Sequence, residues 1–295
     1  MRATVLLNRD GGAAAAADDI AAKVKAALEG AGIDADLELI DGGEAEPRAR
    51  GVAERGDPVL IVGGGDGTIS AAAGALADSE TRLGILPLGT LNHFARDLGI
   101  PADLDEAAAL IASGVEQRVD IAEMNGRTFV NNSAIGLYPL MVVARDAQQK
   151  RLGRSKRLAM VVASARTLLR FHHQRLTLSI NDQKSRVDTP LLFVGNNDYQ
   201  LELPGAGRRD KLDDGKLCVL VLRKKTRASF VASSLRALVG RARPDDMVRL
   251  EGVERLRVDS RRKLLAVALD GEVVRAEPPL DYRIRKAALR VIAPD

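Results

Sequence analysis

The chain is predicted to be α/β plus β, and three observations carry the prediction. Strand and helix signals alternate over the first hundred residues, short turn-punctuated strands take over after about residue 120, and the length is 295 residues. Single cores usually stop growing beyond about 250 residues, so two domains are expected. The first, residues 1–121, reads as a Rossmann-like parallel α/β nucleotide domain, and the second, 122–280, as an antiparallel β-sandwich. The tail, 281–295, is free to return to the first.

Each element has a local reason. Thr4–Leu7 reads as a short buried strand. Ala13–Glu29 follows as a helix, because Ile20, Val24 and Leu28 recur at one-turn spacing and Gly30 and Gly32 end it. Leu37–Ile40 is strand-like, and Ala45–Arg55 is helical beyond the Gly42-Gly43 loop. Pro58–Val62 is a continuous apolar run stopping at Gly63, as in a strand buried on both faces. Gly67–Ala77 (helix), Leu83–Leu86 (strand), Asn92–Leu98 (helix) and Leu104–Ser113 (helix) complete the alternation, which predicts a parallel sheet with helices on both sides.

Beyond residue 120 the predicted strands are Ile121–Met124, Thr128–Asn131, Arg175–Ile180, Leu191–Val194, Leu217–Leu222, Arg255–Val258 and Leu264–Ala268. Turn dipeptides separate them, among them Asn125-Gly126, Asn181-Asp182 and Asp214-Gly215, and this texture suggests a sandwich. Helices are expected around Arg157–Phe171 and Ala228–Val239.

Composition narrows the function. Hydrophobic residues at 46% and charged residues at 28% are ordinary for a globular protein and exclude general disorder. The lone Cys218 cannot form an internal disulfide. The opening MRATVLLNRD has only Val5–Leu7 as an apolar run, short of a signal-peptide core, and no window approaches the ~20 apolar residues of a spanning helix. A cytoplasmic protein, peripheral to a membrane, is the expectation. Arg145–Arg175 holds nine Lys/Arg against the single acid Asp146, and Arg223–Arg243 holds seven and no acid. Such stretches are either solvated helix faces or attraction to an anionic surface. With aromatics at 3% and no Trp, stacking platforms for nucleic acid are scarce, so an anionic membrane is the preferred partner and nucleic acid is not expected. A homodimer stays open.

The sharpest chemical signal is Gly63-Gly64-Gly65-Asp66-Gly67-Thr68, after a buried strand and before a helix. Successive glycines let backbone N–H groups converge and phosphate oxygens approach, and the helix start adds its positive end. Asp66, being negative, fits a magnesium ion, a water or an attacking hydroxyl there. The bland alternative is a tight strand-to-helix turn. No G-x-x-x-x-G-K-[ST] occurs, so this is not a P-loop, and Thr68 stands where a dinucleotide fingerprint needs its third glycine. The second signal is Pro87-Leu88-Gly89-Thr90-Leu91-Asn92, again strand, turn and helix. Parallel neighbours deliver both turns to one sheet edge, although Thr90 or Asn92 taken alone reads as a helix cap.

Together these segments resemble the catalytic domain of the diacylglycerol kinase and sphingosine kinase family. The resemblance runs the length of the chain: Asn8, Gly64–Thr68, Pro87–Asn92, Phe129–Leu137, Val194–Asn197, Leu212–Leu217 and Leu269–Glu272. It implies an ATP-dependent lipid kinase whose nucleotide and lipid hydroxyl meet between the two domains. By this resemblance Gly64, Gly65, Asp66, Gly67, Thr68, Thr90 and Asn92 bind ATP, and Asn8 lies close to its phosphates. Glu272 is the general base, while Asp270 and Asp66 order Mg2+ and water. The Asp-Asp-Gly turn resembles a structural magnesium site with the Asp214 carboxylate and the Lys211 and Lys216 carbonyls. From the residues alone, Asp270-Gly271 and Asp214-Gly215 are ordinary hairpin-turn pairs.

One position departs from the family pattern: His93 stands where relatives commonly carry Asp. Either Asp97 compensates, or His93 donates to phosphate, or turnover is impaired; packing at the helix start is the bland reading. A nucleotide-contacting threonine common after the second strand is replaced by Asp41-Gly42-Gly43, so no ligand is assigned there. His172 and His173 lack metal-ligand spacing. Two other functions compete: a soluble-metabolite kinase of the NAD kinase type, which shares Gly64–Thr68, and a non-catalytic nucleotide or lipid sensor.

Overall fold

A computed structural model describes residues 1–9, 17–136, 173–181, 183–200, 208–223 and 247–295. The first module alternates β1 (Arg2–Asn8), α1 (Ala17–Gly30), β2 (Asp34–Ile40), α2 (Ala45–Arg55), β3 (Val59–Gly64), α3 (Asp66–Leu76), β4 (Arg82–Pro87), α4 (His93–Asp97) and α5 (Leu104–Ser113). Val24 and Leu28 of α1 are buried, as their one-turn spacing requires. Every residue of β3 is buried. β1 pairs in parallel with β2 on one side and β3 on the other, and β3 with β4, giving the order β2-β1-β3-β4. The direction of winding therefore reverses between β1 and β3, and a crevice opens at their C-terminal ends.

The remaining strands are β5 (Val115–Met124), β6 (Arg127–Phe129), β7 (Asn132–Gly136), β8 (Gln174–Ile180), β9 (Gln183–Thr189), β10 (Leu191–Asn196), β11 (Leu217–Leu222), β12 (Met247–Val253), β13 (Arg255–Ser260), β14 (Leu265–Leu269), β15 (Glu272–Ala276) and β16 (Leu280–Ala293). One sheet is wholly antiparallel, in the order β12-β11-β10-β7-β14-β15. It packs on strands of the other sheet to make the sandwich: Ile135, Leu192, Val219 and Val267 meet Leu176, Val258, Leu280 and Tyr282 in one core. The Phe129 and Tyr282 rings meet edge to face at 6.3 Å. A separate core lies around β1, β3, β4 and their helices.

The sheet of the first module is mixed where a parallel one was expected. β16, fourteen residues long, lies parallel to β4 at Val291 and antiparallel to β5 along its length, then continues into pairing with β13. At ~3.3 Å per residue such a strand spans both modules, so ten strands form one sheet common to both. A bulge at Ala287 (φ 51°) breaks the register between Arg285 and Leu289. The buried Asp120 of β5 holds that bulge through the Ala287 N–H at 2.8 Å, and takes the Gly215 N–H and the Asn197 amide at 2.6 Å each.

Among the strands not foreseen from the pattern, β9, β12 and β15 are sheet edges whose charged, half-exposed residues give no apolar run. The helices expected around 157–171 and 228–239 lie outside the described residues, as do the first residues of the expected helix 13–29.

Candidate active site

Asn8 ends β1 and Gly64 ends β3, so both stand at the crevice where the winding reverses. Gly65, extended at φ −90°, is the N-cap of α3 and brings no capping side chain, so the first N–H groups of the helix are left for a ligand. The Asn8 Nδ2 donates to Thr68 Oγ1 at 2.7 Å and ties the end of β1 to the first turn of α3. The hydroxyl proton of Thr68 then remains available to an acceptor.

The glycines divide by the reason each is needed. A Cβ on Gly64 would stand 2.9 Å from the Cβ of Thr68, a packing demand of the turn itself. A Cβ on Gly89 would lie 2.5 Å from the Gly65 Cα, so the two glycine turns touch backbone to backbone. The 87–92 loop is held by Asn92, left-handed at φ 48°, whose Nδ2 donates to the Pro87 and Gly89 carbonyls at 2.9 and 3.0 Å. Asn92 occupies the N-cap position of α4 without capping it, and its buried Oδ1 has no partner among the described residues. Thr90 is exposed at the loop tip. Asp66 Oδ1 accepts the Phe94 N–H at 3.4 Å, linking the two turns again.

Glu272 comes from the far side. β14 and β15 form a hairpin whose turn is Asp270-Gly271, and Glu272 opens β15, paired with Leu269. Its Oε1 lies 3.2 Å from the place a Cβ of Gly67 would occupy, so the carboxylate faces the first turn of α3. Asp270 is turned inward. It accepts the Val130, Asn131 and Asn132 N–H groups at 2.8, 2.8 and 2.9 Å and a hydrogen bond from Ser70 Oγ. Enclosure pushes this carboxyl above the usual carboxylate range, and the Ser70 hydroxyl and the three N–H groups pull it back. Four donors fill the lone pairs of both oxygens, so Asp270 has no room for Mg2+. The expectation that it orders the metal is corrected: it anchors the hairpin that carries Glu272. Ser70, one turn along α3 from Asp66, was missed because a helical serine carries no local sign of a partner 200 residues away.

Asp97 does not stand in for the family carboxylate. It forms a buried ion pair with Arg209, Nε to Oδ2 at 2.8 Å. His93 Nδ1 lies 3.0 Å from Arg96 Nη2. A guanidinium can only donate, so Nδ1 accepts and the imidazole proton sits on Nε2.

For magnesium, no group of three or more His, Cys, Asp or Glu side chains forms a cage among the described residues. Mg2+ commonly needs only one or two carboxylates with waters and substrate phosphates, and Asp66 at the crevice fits that use. The turn at Asp214 supplies the same hard oxygen chemistry: Asp214, Lys211 and Lys216 are exposed, and the Lys216 carbonyl already accepts the Asn197 N–H at 3.1 Å.

A groove of about 850 Å³, lined by apolar Leu178, Val221 and Leu250 and by charged Arg186, Asp188, Arg249 and Glu251, lies among β8, β9, β11 and β12. β12 and β15 are opposite edges of one sheet, about 24 Å apart at ~4.8 Å per strand, so this groove is remote from the facing carboxylate.

Glycine turns and a helix start on one wall, with a carboxylate on the other, define a phosphotransferase cleft. Comparison with known proteins agrees. The diacylglycerol kinase catalytic domain family matches residues 2–124, and the YegS C-terminal NAD kinase beta sandwich-like domain family matches 141–293. A diacylglycerol kinase of Bacillus subtilis (strain 168) is 28% identical over 233 residues, covering 78% of this chain and 76% of the relative. One of Staphylococcus saprophyticus is 29% identical over 190 residues, covering 64% and 62%. The crystal structure of a candidate diacylglycerol kinase from Bacillus anthracis str. Sterne superposes with a TM-score of 0.78 at 24% identity, covering 99% of this chain and 97% of that one. Yeast NADH kinase shares the fold at a TM-score of 0.56 and 10% identity, covering 100% and 84%. The chain belongs to the family of the YegS C-terminal NAD kinase beta sandwich-like domain, with a diacylglycerol kinase catalytic domain before it, and is a kinase.

Proposed function

We propose that this kinase transfers the γ-phosphate of ATP to the hydroxyl of a lipid alcohol of the diacylglycerol class. The observation that carries the reading is the Glu272 carboxylate facing the first turn of α3 at Gly67. An acceptor hydroxyl beside the Glu272 carboxylate, within the ~2.6–3.2 Å reach a general base needs, would be next to phosphates seated on the helix start. Gly64–Thr68 supply the N–H groups for those phosphates, Thr90 and Asn92 flank them, and the Asn8–Thr68 bond sets the floor. His93 donates Nε2–H to phosphate in place of the acid that relatives carry there. Mg2+ held at Asp66 would neutralise phosphate charge, and Asp214 with the Lys211 and Lys216 carbonyls would hold a second, structural ion.

The lipid class rests on the family. No helix among the described residues is long and apolar enough to cross a membrane, so the substrate would be met at its surface. The exposed run Arg261-Arg262-Lys263, followed by Leu264 at 50% exposure, supports contact with an anionic bilayer. Labelled ATP and Mg2+ offered with mixed micelles of diacylglycerol, phosphatidylglycerol or a sphingoid base test the proposal. Label in the diacylglycerol fraction, lost on chelation of Mg2+, is expected. A nucleotide-bound protein that labels no lipid overturns it, and formation of NADP from NAD would assign the chain to the NAD kinase type instead.

A further inference from the structure

Arg209 stands where the two modules meet, and its side chain is wholly enclosed. Its Nε donates to Asp97 Oδ2 at 2.8 Å, Nη1 to the Val130 and Asn196 carbonyls at 2.6 and 3.2 Å, and Nη2 to Asn131 Oδ1 at 2.9 Å. The Phe94 and Tyr199 rings flank it at 5.9 and 5.3 Å. A guanidinium so committed is not a phosphate ligand. What it joins matters more. Asp97 ends α4, whose first residues follow the 87–92 loop. Val130 and Asn131 are the residues whose N–H groups hold Asp270. Asp270 takes the Ser70 hydroxyl of α3, and Asp66 at the start of α3 takes the Phe94 N–H of α4. The contacts close on themselves: α4, Arg209, residues 130–131, Asp270, α3, and α4 again.

We propose that Arg209 is a positioning residue for phosphoryl transfer, setting the 87–92 loop and the hairpin that carries Glu272 at a fixed separation. This rests on the kinase reading above and adds to it a control of geometry across the cleft. Positioning errors near 1 Å cost rate steeply, whereas phosphate binding by backbone N–H groups is local to each turn. Loss of the clamp should therefore appear in kcat rather than in nucleotide affinity.

The test compares Arg209→Lys and Asp97→Asn with the unmodified protein. Lysine keeps the charge but lacks the planar fork that serves four acceptors at once. Both variants are expected to lose kcat by about tenfold or more while KM for ATP stays within about twofold, and the double variant should fall no further than Arg209→Lys alone. Retained kcat, or equal losses of kcat and ATP affinity, overturns the proposal. Should Arg209→Lys fail to fold, Asp97→Asn decides by the same split. If the unmodified protein transfers phosphate to nothing, the kinase reading fails separately, and amide exchange judges the clamp. Faster exchange at Val130, Asn131 and Asn132 in Arg209→Lys, with β1 and β3 unchanged, supports it, and unchanged exchange there overturns it.

Discussion

The Glu272 carboxylate and Gly67 face each other so closely that a methyl group on Gly67 would stand 3.2 Å from Oε1. That separation makes one cleft of two surfaces contributed by residues 205 positions apart in the chain. Glu272→Gln is expected to lower kcat by about 10²–10⁴-fold, the usual worth of a general base, with nucleotide affinity nearly unchanged. Gly67→Ala presses on the same carboxylate and should lower kcat by about tenfold. Steady-state phosphorylation beside nucleotide titration checks both, and a Glu272→Gln protein of normal turnover would remove the residue from the mechanism.

Asp270 works by holding, not by reacting. Asp270→Asn confronts three N–H donors with an amide that has one acceptor oxygen, and should cost about 2–4 kcal/mol of stability. Ser70→Ala removes a single bond to the same group and should cost about 1 kcal/mol. Urea unfolding measures both, and equal midpoints for the two variants would contradict the four-donor description.

His93→Asp puts a carboxylate beside the second glycine turn. A carboxylate there would share the binding of Mg2+ with Asp66, so kcat should rise by about tenfold and its half-saturating Mg2+ concentration should fall. Magnesium titrations of the two proteins give the comparison, and a slower variant would mark the imidazole as the better partner for this cleft.

Two buried tyrosines make the fold sensitive to alkali. Burial pushes the Tyr199 phenol up to about 12, with Arg209 opposing, and pushes Tyr282 higher still against its bond with Ser133. A group whose pKa is raised by folding contributes fully below its unfolded value and loses that contribution as pH climbs through the folded value. Stability should thus decline from pH ~10 toward 12. Phenolate absorbance should show these two of the three tyrosines still protonated at pH ~11, where free phenols have ionised.

Much of the architecture was legible in local pattern. The helix over 45–55, the strand over 217–222 and both glycine turns are where the residues put them, because apolar period and turn chemistry act over a few positions. The partnership of β16 with β4 and β5 was not, since sheet pairing is settled by what else is left to bury. Edge strands β9, β12 and β15 escaped for the complementary reason: their charges keep an edge from pairing further and so hide the strand. Within the site, Asp66 and Glu272 stood in readable motifs. The inward turn of Asp270, the service of Ser70 and the commitment of Asp97 to Arg209 left no local trace.

The sequence by itself determined the class of chemistry, because glycines before a helix start and an acid after a turn constrain what can bind and react. It also pointed to an α/β module followed by a β-sandwich. Only the tertiary structure decided which acids face the crevice and which are spent in holding it. A carboxylate's role follows from how many donors surround it, and the donors to Asp97 and Asp270 come from residues 112 to 200 positions away.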